Sequence, residues 1–216
     1  MHGHQGKRTQ GVLVMIARAP TFQQPSNWAP SIRGFTLIEL MVTLVLAAVL
    51  MLLAAPNFIT FQRNSELTTT ANSFLATLSA ARAEAMKRQL RTFVIPADGS
   101  NWSSGWVAFV DVNSNVSASA LSMDSGDIEL ARGAALPDSV AIDTTSATSF
   151  VHSGVQYAMF NGSGFMSLIG GGFPANGADS LDFTNGSGQT RRVIASVAGR
   201  VRVCKPGDAG CSVGTF

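Results

Sequence analysis

The stretch that decides the fold is residues 34–55, which read GFTLIELMVTLVLAAVLMLLAA. The part from Phe35 to Ala55 contains one charged side chain, Glu39. At about 1.5 Å per residue, a helix of this length spans roughly 30 Å, which is the thickness of the hydrocarbon layer of a membrane. We therefore predict a membrane-spanning helix over residues 35–56.

The residues before this run have a different composition. Residues 1–34 carry four basic side chains and no acidic one, and they show no sustained helical or strand period. By the positive-inside rule, a segment of this kind lies on the cytoplasmic side of the membrane. We interpret residues 1–34 as a cytoplasmic leader, and its length leaves the start codon open, with Met15 as an alternative. A secretory signal peptide is the rival interpretation, although its apolar region is usually shorter.

The chain after the apolar run begins with a helical pattern. Apolar residues recur at Leu67, Ala71, Phe74, Leu75, Leu78, Ala81 and Ala85, which lie on one face of a helix. This spacing predicts that residues 57–91 continue the helix out of the membrane, with a bend near Pro56. The apolar face of this amphipathic part should lie on a globular head.

Residues 92–216 form that predicted head, which reads as short strands separated by turns. The turn signals are Asn161-Gly162, Asn185-Gly186 and Ala198-Gly199, and residues 114–126 read as an exposed loop. The predicted strands are 92–95, 106–111, 140–143, 155–160, 165–169, 180–183, 192–197 and 200–203. The predicted fold class is therefore α+β, with one long helix packed on antiparallel sheet.

Glu39 is the unusual residue of the apolar run. An unpaired carboxylate in the hydrocarbon layer costs a few kcal/mol, so we expect a functional partner for it. Cleavage of the chain after Gly34 would create one, the new amine of Phe35.

The segment Arg33-Gly34-Phe35-Thr36-Leu37-Ile38-Glu39-Leu40 resembles the processing site of type IV prepilins and type II secretion pseudopilins. The resemblance implies that a prepilin peptidase cuts between Gly34 and Phe35 and methylates the Phe35 amine. It also implies that Glu39 pairs with the N-terminal amine of a neighbouring subunit during assembly.

Residues 105–113, GWVAFVDVN, resemble a strand-and-turn signature of the GspH/FimT family of minor pilins and pseudopilins. This resemblance implies a pilin-like fold and a single-pass inner-membrane protein with a periplasmic head. Its expected partners are other pilins or pseudopilins, and we expect neither enzymatic activity nor a cofactor.

The C-terminal end of the chain is basic, whereas the body is acidic. Residues 35–190 carry six basic and twelve acidic side chains, while residues 191–216 carry five basic side chains and one acid, Asp208. Alternate residues of a strand share a face, so Arg200 and Arg202 should project together. The basic side chains that could join them are Arg191, Arg192 and Lys205.

The sequence Gly199-Arg200-Val201-Arg202 resembles the tail of FimT-type minor pilins, which implies DNA binding for uptake in natural transformation. Guanidinium groups bind phosphate oxygens in pairs, which gives this reading a physical basis. The alternative roles of these arginines are a solvated face or contacts with acidic residues in a filament. The alternative functions of the protein are a GspH-type pseudopilin of a type II secretion system and a pilus-priming subunit without a ligand. The basic side chains of the helix are read as solvated or as filament contacts rather than as a second DNA site; they are Arg82, Lys87, Arg88 and Arg91.

Cys204 and Cys211 flank the turn-forming sequence Lys-Pro-Gly-Asp-Ala-Gly, which allows the chain to double back. In an oxidising compartment this spacing predicts a disulfide, and the alternative is two free thiols. No Cys-x-x-Cys pair is present and His152 is the one imidazole after the apolar run, so we expect no metal site.

Asp111, Asn113 and Asn115 resemble the opening of a calcium-binding loop. Val116 and Ser122 stand where such a loop needs glycine and an acid, so we interpret the segment as a capped turn. The sequence contains no catalytic constellation, and Trp102, Trp106 and Tyr157 read as core or strand aromatics.

Overall fold

The computed structural model describes residues 34–143 and 150–212, apart from the side chains of residues 53–56. Most of the predicted leader, residues 1–33, lies outside the described residues. The described chain forms a long helix α1, a short 3-10 helix over Trp102–Ser104, and short strands. The bounds are α1 Leu37–Arg88, β1 Thr92–Pro96, β2 Trp106–Val110, β3 Ile128–Gly133, β4 Val140–Ile142, β5 Val151–His152, β6 Val155–Gln156, β7 Ala158–Phe160, β8 Ala178–Asn185, β9 Thr190–Ser196 and β10 Val201–Cys204.

The later part of α1 carries the apolar stripe that the sequence predicts. Its buried members are Leu67, Ala71, Phe74, Leu78, Ala81 and Ala85. The ring of Phe74 lies at the centre of the core, with ring centroids 5.0 to 5.9 Å from those of Trp102, Trp106, Phe150 and Phe183. The indole nitrogen of Trp106 donates a hydrogen bond to the Thr77 hydroxyl, at 3.0 Å. The helix is thus built into the head, and the α+β fold class is confirmed.

The helix ends slightly earlier than the sequence suggests. Its last helical residue is Arg88 rather than Arg91. Gln89 adopts a left-handed backbone with φ of 58°, and such a residue ends an α-helix.

The earlier part of α1 is apolar but exposed, as at Leu44, Leu52 and Phe58, whose exposed fractions are 61%, 77% and 66%. Among the described residues, no single helix has both the length and the hydropathy to cross a membrane. Two segments of α1 that are bent relative to each other, Leu37–Leu52 and Asn57–Arg88, together have the length and composition of a membrane span. Contacts divide the chain into two compact units at Val45, and all the strands belong to the second, Leu46–Phe216.

The first sheet has the strand order β3-β2-β1-β7 and is antiparallel throughout. One face, with Val94, Ala108 and Phe160, belongs to the core that includes α1. The other face carries a second apolar cluster around Phe93 and Phe109.

Loops cover this second cluster. Val116 is 4% exposed within it, and Leu121 and Met123 pack against it. The prediction of an exposed loop over residues 114–126 is therefore wrong in part, because Val116, Leu121 and Met123 cover the sheet while most of the other residues are exposed.

The second sheet has the order β10-β9-β8-β4 and is also antiparallel. Its inner face contributes Leu181, Phe183, Val193 and Ala195 to the main core. Its outer face carries a small cluster of Ala178 and Ile194 with Cys211. The predicted turns at Asn185-Gly186 and Ala198-Gly199 join β8 to β9 and β9 to β10.

Several strand assignments differ from the sequence prediction. Strand β5 was not predicted, and the predicted strand 155–160 is divided into β6 and β7, which belong to different sheets. Strand β3 was not predicted, because its alternation of apolar and charged side chains is short and lies at an exposed sheet edge. Residues 165–169 were predicted as a strand but form one isolated bridge, between Phe160 and Met166. The Asn161 side chain accepts hydrogen bonds from the backbone of Ser163 and Phe165, which shapes a turn there instead.

Candidate functional site

The N-terminal segment is described from Gly34. Residues 34–36 lie outside the helix, which begins at Leu37. The Thr36 hydroxyl accepts a hydrogen bond from the backbone nitrogen of Glu39, at 3.2 Å. Thr36 therefore caps the helix, and together with Glu39 it has the Thr-x-x-Glu spacing of a capping box. The peptide bond between Gly34 and Phe35 lies just before this cap.

The side chains around that bond make few contacts within the chain. Phe35 is 83% exposed, and a Cβ atom placed on Gly34 would meet no other atom within 4 Å. Glu39 is also exposed. Among the residues that the structure describes, none crowds Gly34, so packing within this part of the chain does not require glycine there. Cleavage after Gly34, methylation of Phe35 and the partner of Glu39 remain predictions.

The turn between β9 and β10 is tightly constrained by α1. Arg82 donates from Nε to the carbonyl oxygen of Gly164, at 3.0 Å, and from Nη2 to that of Ala198, also at 3.0 Å. Gly199 has φ of +76°, and a Cβ there would lie 2.0 Å from the Gly164 oxygen and 2.4 Å from Arg82 Nε. The glycine of the Gly-Arg-x-Arg sequence is thus required by packing.

Arg82 was not anticipated in this role. We expected a solvated side chain or a filament contact, but it is partly buried and joins the helix to two loops. The available signal was its position next to Ala81, at the border of the buried stripe.

The two arginines of the tail differ in exposure. Arg200 is exposed and lies at the end of the turn, where its carbonyl oxygen accepts a hydrogen bond from Ser196 at 2.9 Å. Arg202 is partly buried in β10, opposite Ile194 on the outer face of the sheet. Its Nη1 lies 3.6 Å from the Cβ position of Gly210, so it rests against the loop closed by the cysteines.

Arg192 is a structural residue in this fold. Its Nε and Nη2 atoms donate to the two carboxylate oxygens of Asp182, both at 2.6 Å. The Asp182 side chain is 3% exposed, and this pairing raises the pKa of Arg192 above its usual range. The charge of Arg192 is therefore offset within the sheet, which argues against its predicted part in DNA binding.

Arg191 lies apart from the other basic side chains. It is directly opposite Phe183 in the sheet, and directly opposite residues of antiparallel strands share a face. Phe183 belongs to the inner face, whereas Arg192 and Arg202 are on the outer one. The structure therefore does not bring Arg191 together with Arg202.

The cysteine loop packs on the outer face of the second sheet. Cys204 and Cys211 form the predicted disulfide, with their Cα atoms 5.7 Å apart. Cys211 is 2% exposed, packs with Ile194, and its carbonyl oxygen accepts a 3.4 Å hydrogen bond from Arg192. Lys205 follows the first cysteine and is exposed. Exposed positive charge in this region thus belongs to Arg200 and Lys205.

The resemblance to a calcium loop is accounted for by hydrogen bonds. The Asp124 carboxylate accepts hydrogen bonds from the side-chain amides of Asn115 and Asn113, which hold the pKa of Asp124 below its usual range. Asp111 is buried and paired with Arg91 at 2.5 Å. Among the described residues there is no group of three or more His, Cys, Asp or Glu side chains able to hold a metal. The segment is a side-chain-capped turn.

The other residues singled out from the sequence are structural. Trp102, Trp106 and Tyr157 are 2%, 2% and 3% exposed, as expected for core aromatics. His152 Nε2 lies 2.8 Å from an oxygen of Asp179, so it ties the β5–β6 hairpin to β8.

Comparison with known families gives two matches. The model described as type II transport protein GspH matches residues 70–199, and that of the prokaryotic N-terminal methylation motif matches residues 30–55. The first covers more than half of the chain and ends at Gly199, before Arg200. A search of curated proteins gave no match.

Two kinds of solved structure are similar to this chain. One is the type IV minor pilin FimU of Pseudomonas aeruginosa, with 16% identity, TM-score 0.46, and coverage of 68% of this chain and 95% of that one. The other is the minor pseudopilin EpsH of the Vibrio cholerae type 2 secretion system, with 17% identity, TM-score 0.43, and coverage of 66% and 99%.

Proposed function

Because this chain belongs to the GspH family of type IV pilin-like proteins and carries the N-terminal methylation motif, we propose that it is a minor type IV pilin that binds DNA. Residues 1–34 are the leader, residues 35–56 the membrane and assembly helix, residues 57–91 its amphipathic continuation, and residues 92–216 a periplasmic head. The basic tail takes up DNA for natural transformation. The role is one of assembly and binding, without catalysis.

The assembly part of the proposal is supported by exposed apolar surface. Large apolar side chains are exposed at many positions from Phe35 to Phe61, and a contiguous apolar surface of this kind needs a cover. The inner membrane provides it before assembly, and the helices of other pilins provide it in the filament. Glu39 then pairs with the methylated amine of a neighbouring Phe35.

We predict that Gly34→Leu blocks processing by prepilin peptidase without disturbing the fold. The residue has no neighbour within 4 Å of its Cβ position, so the effect must lie in peptidase recognition. N-terminal sequencing of the membrane-bound protein checks this. The matched variant Glu39→Ala should be cut normally and yet be depleted from sheared filaments. Recovery of Gly34→Leu protein that begins at Phe35 would contradict the assignment.

The DNA-binding part is carried by one observation, the exposure of Arg200 on a turn that Arg82 clamps. The clamp fixes the backbone of the turn that carries Arg200, and guanidinium groups form bidentate hydrogen bonds with phosphate. No carboxylate among the described residues forms an ion pair with Arg200 or Lys205. Arg202 adds positive potential from a partly buried position.

The same charges favour binding without sequence preference. Phosphate contacts position a protein on DNA and carry no base information. The acidic composition of residues 35–190 repels DNA from the remainder of the head. A protein that takes up DNA of any sequence needs this kind of recognition.

A GspH-type pseudopilin of a type II secretion system is the alternative function. The GspH match extends over residues 70–199 and leaves out the basic tail, so it fits either role. A pilus-priming subunit without a ligand fits it equally well. The behaviour of the tail arginines separates both of these from a DNA-binding subunit.

We predict that the full chain in neutral detergent binds random-sequence duplex DNA, and that Arg200→Gln weakens binding at low salt by about ten-fold. That value corresponds to the loss of one charge-assisted hydrogen-bonding group. Arg202→Gln should cost less because its side chain is partly buried. Fluorescence anisotropy with labelled DNA measures both. If the folded Arg200→Gln, Arg202→Gln double variant bound DNA like the parent, the pseudopilin role would replace this proposal.

A further inference from the structure

The cleft between α1 and the β9–β10 turn has an unusual charge. It has a volume of about 250 Å³ and is lined by Ser79, Arg82, Ala83, Met86, Gly199, Arg200 and Val201. Two of these residues are arginines and none is acidic. The larger cleft beside Ile95 includes Asp98, and its Arg132 is paired with Glu129, so that cleft lacks a net positive lining.

The guanidinium group of Arg82 is held in one position by hydrogen bonds. Its Nε and Nη2 atoms bind two backbone carbonyl oxygens, and neither bond uses Nη1. Carbonyl groups hold a guanidinium in place without neutralising its charge, unlike the carboxylate that pairs with Arg192. Among the described ion pairs, none includes Arg82.

We infer that this cleft is a phosphate subsite, in which Arg82 and Arg200 bind one backbone phosphate of DNA from two sides. The inference rests on the proposed function and extends it, because it adds a helix residue to a binding surface so far confined to the tail. The volume accommodates a phosphate group in place of several waters, each of which takes about 30 Å³ in the liquid. Met86, 40% exposed, supplies an apolar wall for the adjoining sugar.

The subsite also gives a reason for the tight packing of Gly199. The glycine allows the turn to approach the Gly164 carbonyl oxygen and Arg82 closely. This approach places Arg200 and Arg82 in the lining of one cleft. The helix and the tail thus form one binding surface.

The test uses the full chain in neutral detergent and a random-sequence duplex, with Ala83→Glu as the main variant. Ala83 is exposed and lines the cleft, so the new carboxylate repels phosphate without removing either Arg82 hydrogen bond. We expect about a five-fold loss of affinity, the value for one unit charge at about 4 Å in water. The control is Ala76→Glu, an identical change at an exposed position two helical turns earlier and outside the cleft, which should lose less than about two-fold because of screening.

A second pair of variants tests the charge of Arg82 itself. Arg82→Gln removes the charge and keeps an amide donor for a carbonyl oxygen. It should decrease the magnitude of the negative slope of log affinity against log salt by about 0.9. Arg82→Lys keeps the charge and should keep the slope. Thermal denaturation identifies any variant that is unfolded.

The outcomes separate the subsite from the DNA-binding role. The subsite is overturned if Ala83→Glu loses no more DNA affinity than Ala76→Glu and Arg82→Gln keeps the salt slope of the parent. If in the same experiments the parent binds DNA and Arg200→Gln lowers its affinity, the DNA-binding role stands. If the parent does not bind DNA, both fall.

Discussion

Two arginines of the second sheet, Arg192 in β9 and Arg200 after the next turn, are used in opposite ways. Arg192 binds a carboxylate that is 3% exposed and is itself partly buried. Arg200 is exposed, and no ion pair includes it among the described residues. Two basic residues that are close in sequence can therefore have different roles. The residue that lies opposite a buried acid stabilises the fold, and the residue without such a neighbour remains available on the surface.

The largest expected effect tests the structural side of this comparison. Arg192→Met should destabilise the protein by about 3 kcal/mol, because it leaves the buried Asp182 carboxylate without its partner. Arg200→Met is the matched control and should change stability by less than about 0.5 kcal/mol. Urea unfolding of the full chain in detergent measures both.

The double variant Arg192→Met, Asp182→Leu sharpens the comparison. Replacing both members of a buried ion pair by apolar side chains is often close to neutral, so most of the lost stability should return. An Arg192→Met protein as stable as its parent would show that the pair has no structural role.

The disulfide gives a smaller effect on the same side of the molecule. Cys204→Ser, Cys211→Ser should lower stability by about 2 kcal/mol, since the closed loop is short. Affinity for DNA should stay within about three-fold of the parent, because Arg200 lies outside the loop and only Lys205 within it and Arg202 beside it are disturbed. Unfolding and anisotropy measurements on one preparation check both values. A loss of DNA affinity well above three-fold would contradict this prediction and show that binding depends on the closed loop.

Much of the fold could be predicted from the sequence because its patterns are local. The apolar stripe from Leu67 to Ala85 predicts the buried face of α1, and Asn185-Gly186 predicts a hairpin turn. The edge strand β3 and the cover provided by Val116 could not be predicted, because both depend on which surfaces meet in the folded chain.

The candidate site was predictable in part. The spacing of Arg200 and Arg202 predicted that they project together. In the structure Arg202 lies on the outer face, opposite Ile194 and beside the cysteine loop, whereas Arg200 lies at the end of the turn and lines the cleft beside α1. The pairing of Arg192 with Asp182 depends on the register of β8 against β9. Arg82 hydrogen-bonds to Gly164 and Ala198, which follow it in the sequence by 82 and 116 residues. No local sequence pattern predicts contacts over such separations.

The most direct test of the account is the salt dependence of DNA binding by three forms of the full chain. The parent is compared with Arg200→Gln, Lys205→Gln and with Arg192→Met, Asp182→Leu, which removes one positive and one negative charge. We predict that the magnitude of the negative slope of log affinity against log salt decreases by about 1.8 in the first variant, at roughly 0.9 per phosphate contact. In the second variant the slope should equal that of the parent. Equal slopes for the parent and the Arg200→Gln, Lys205→Gln variant would contradict the claim that these exposed cations bind DNA.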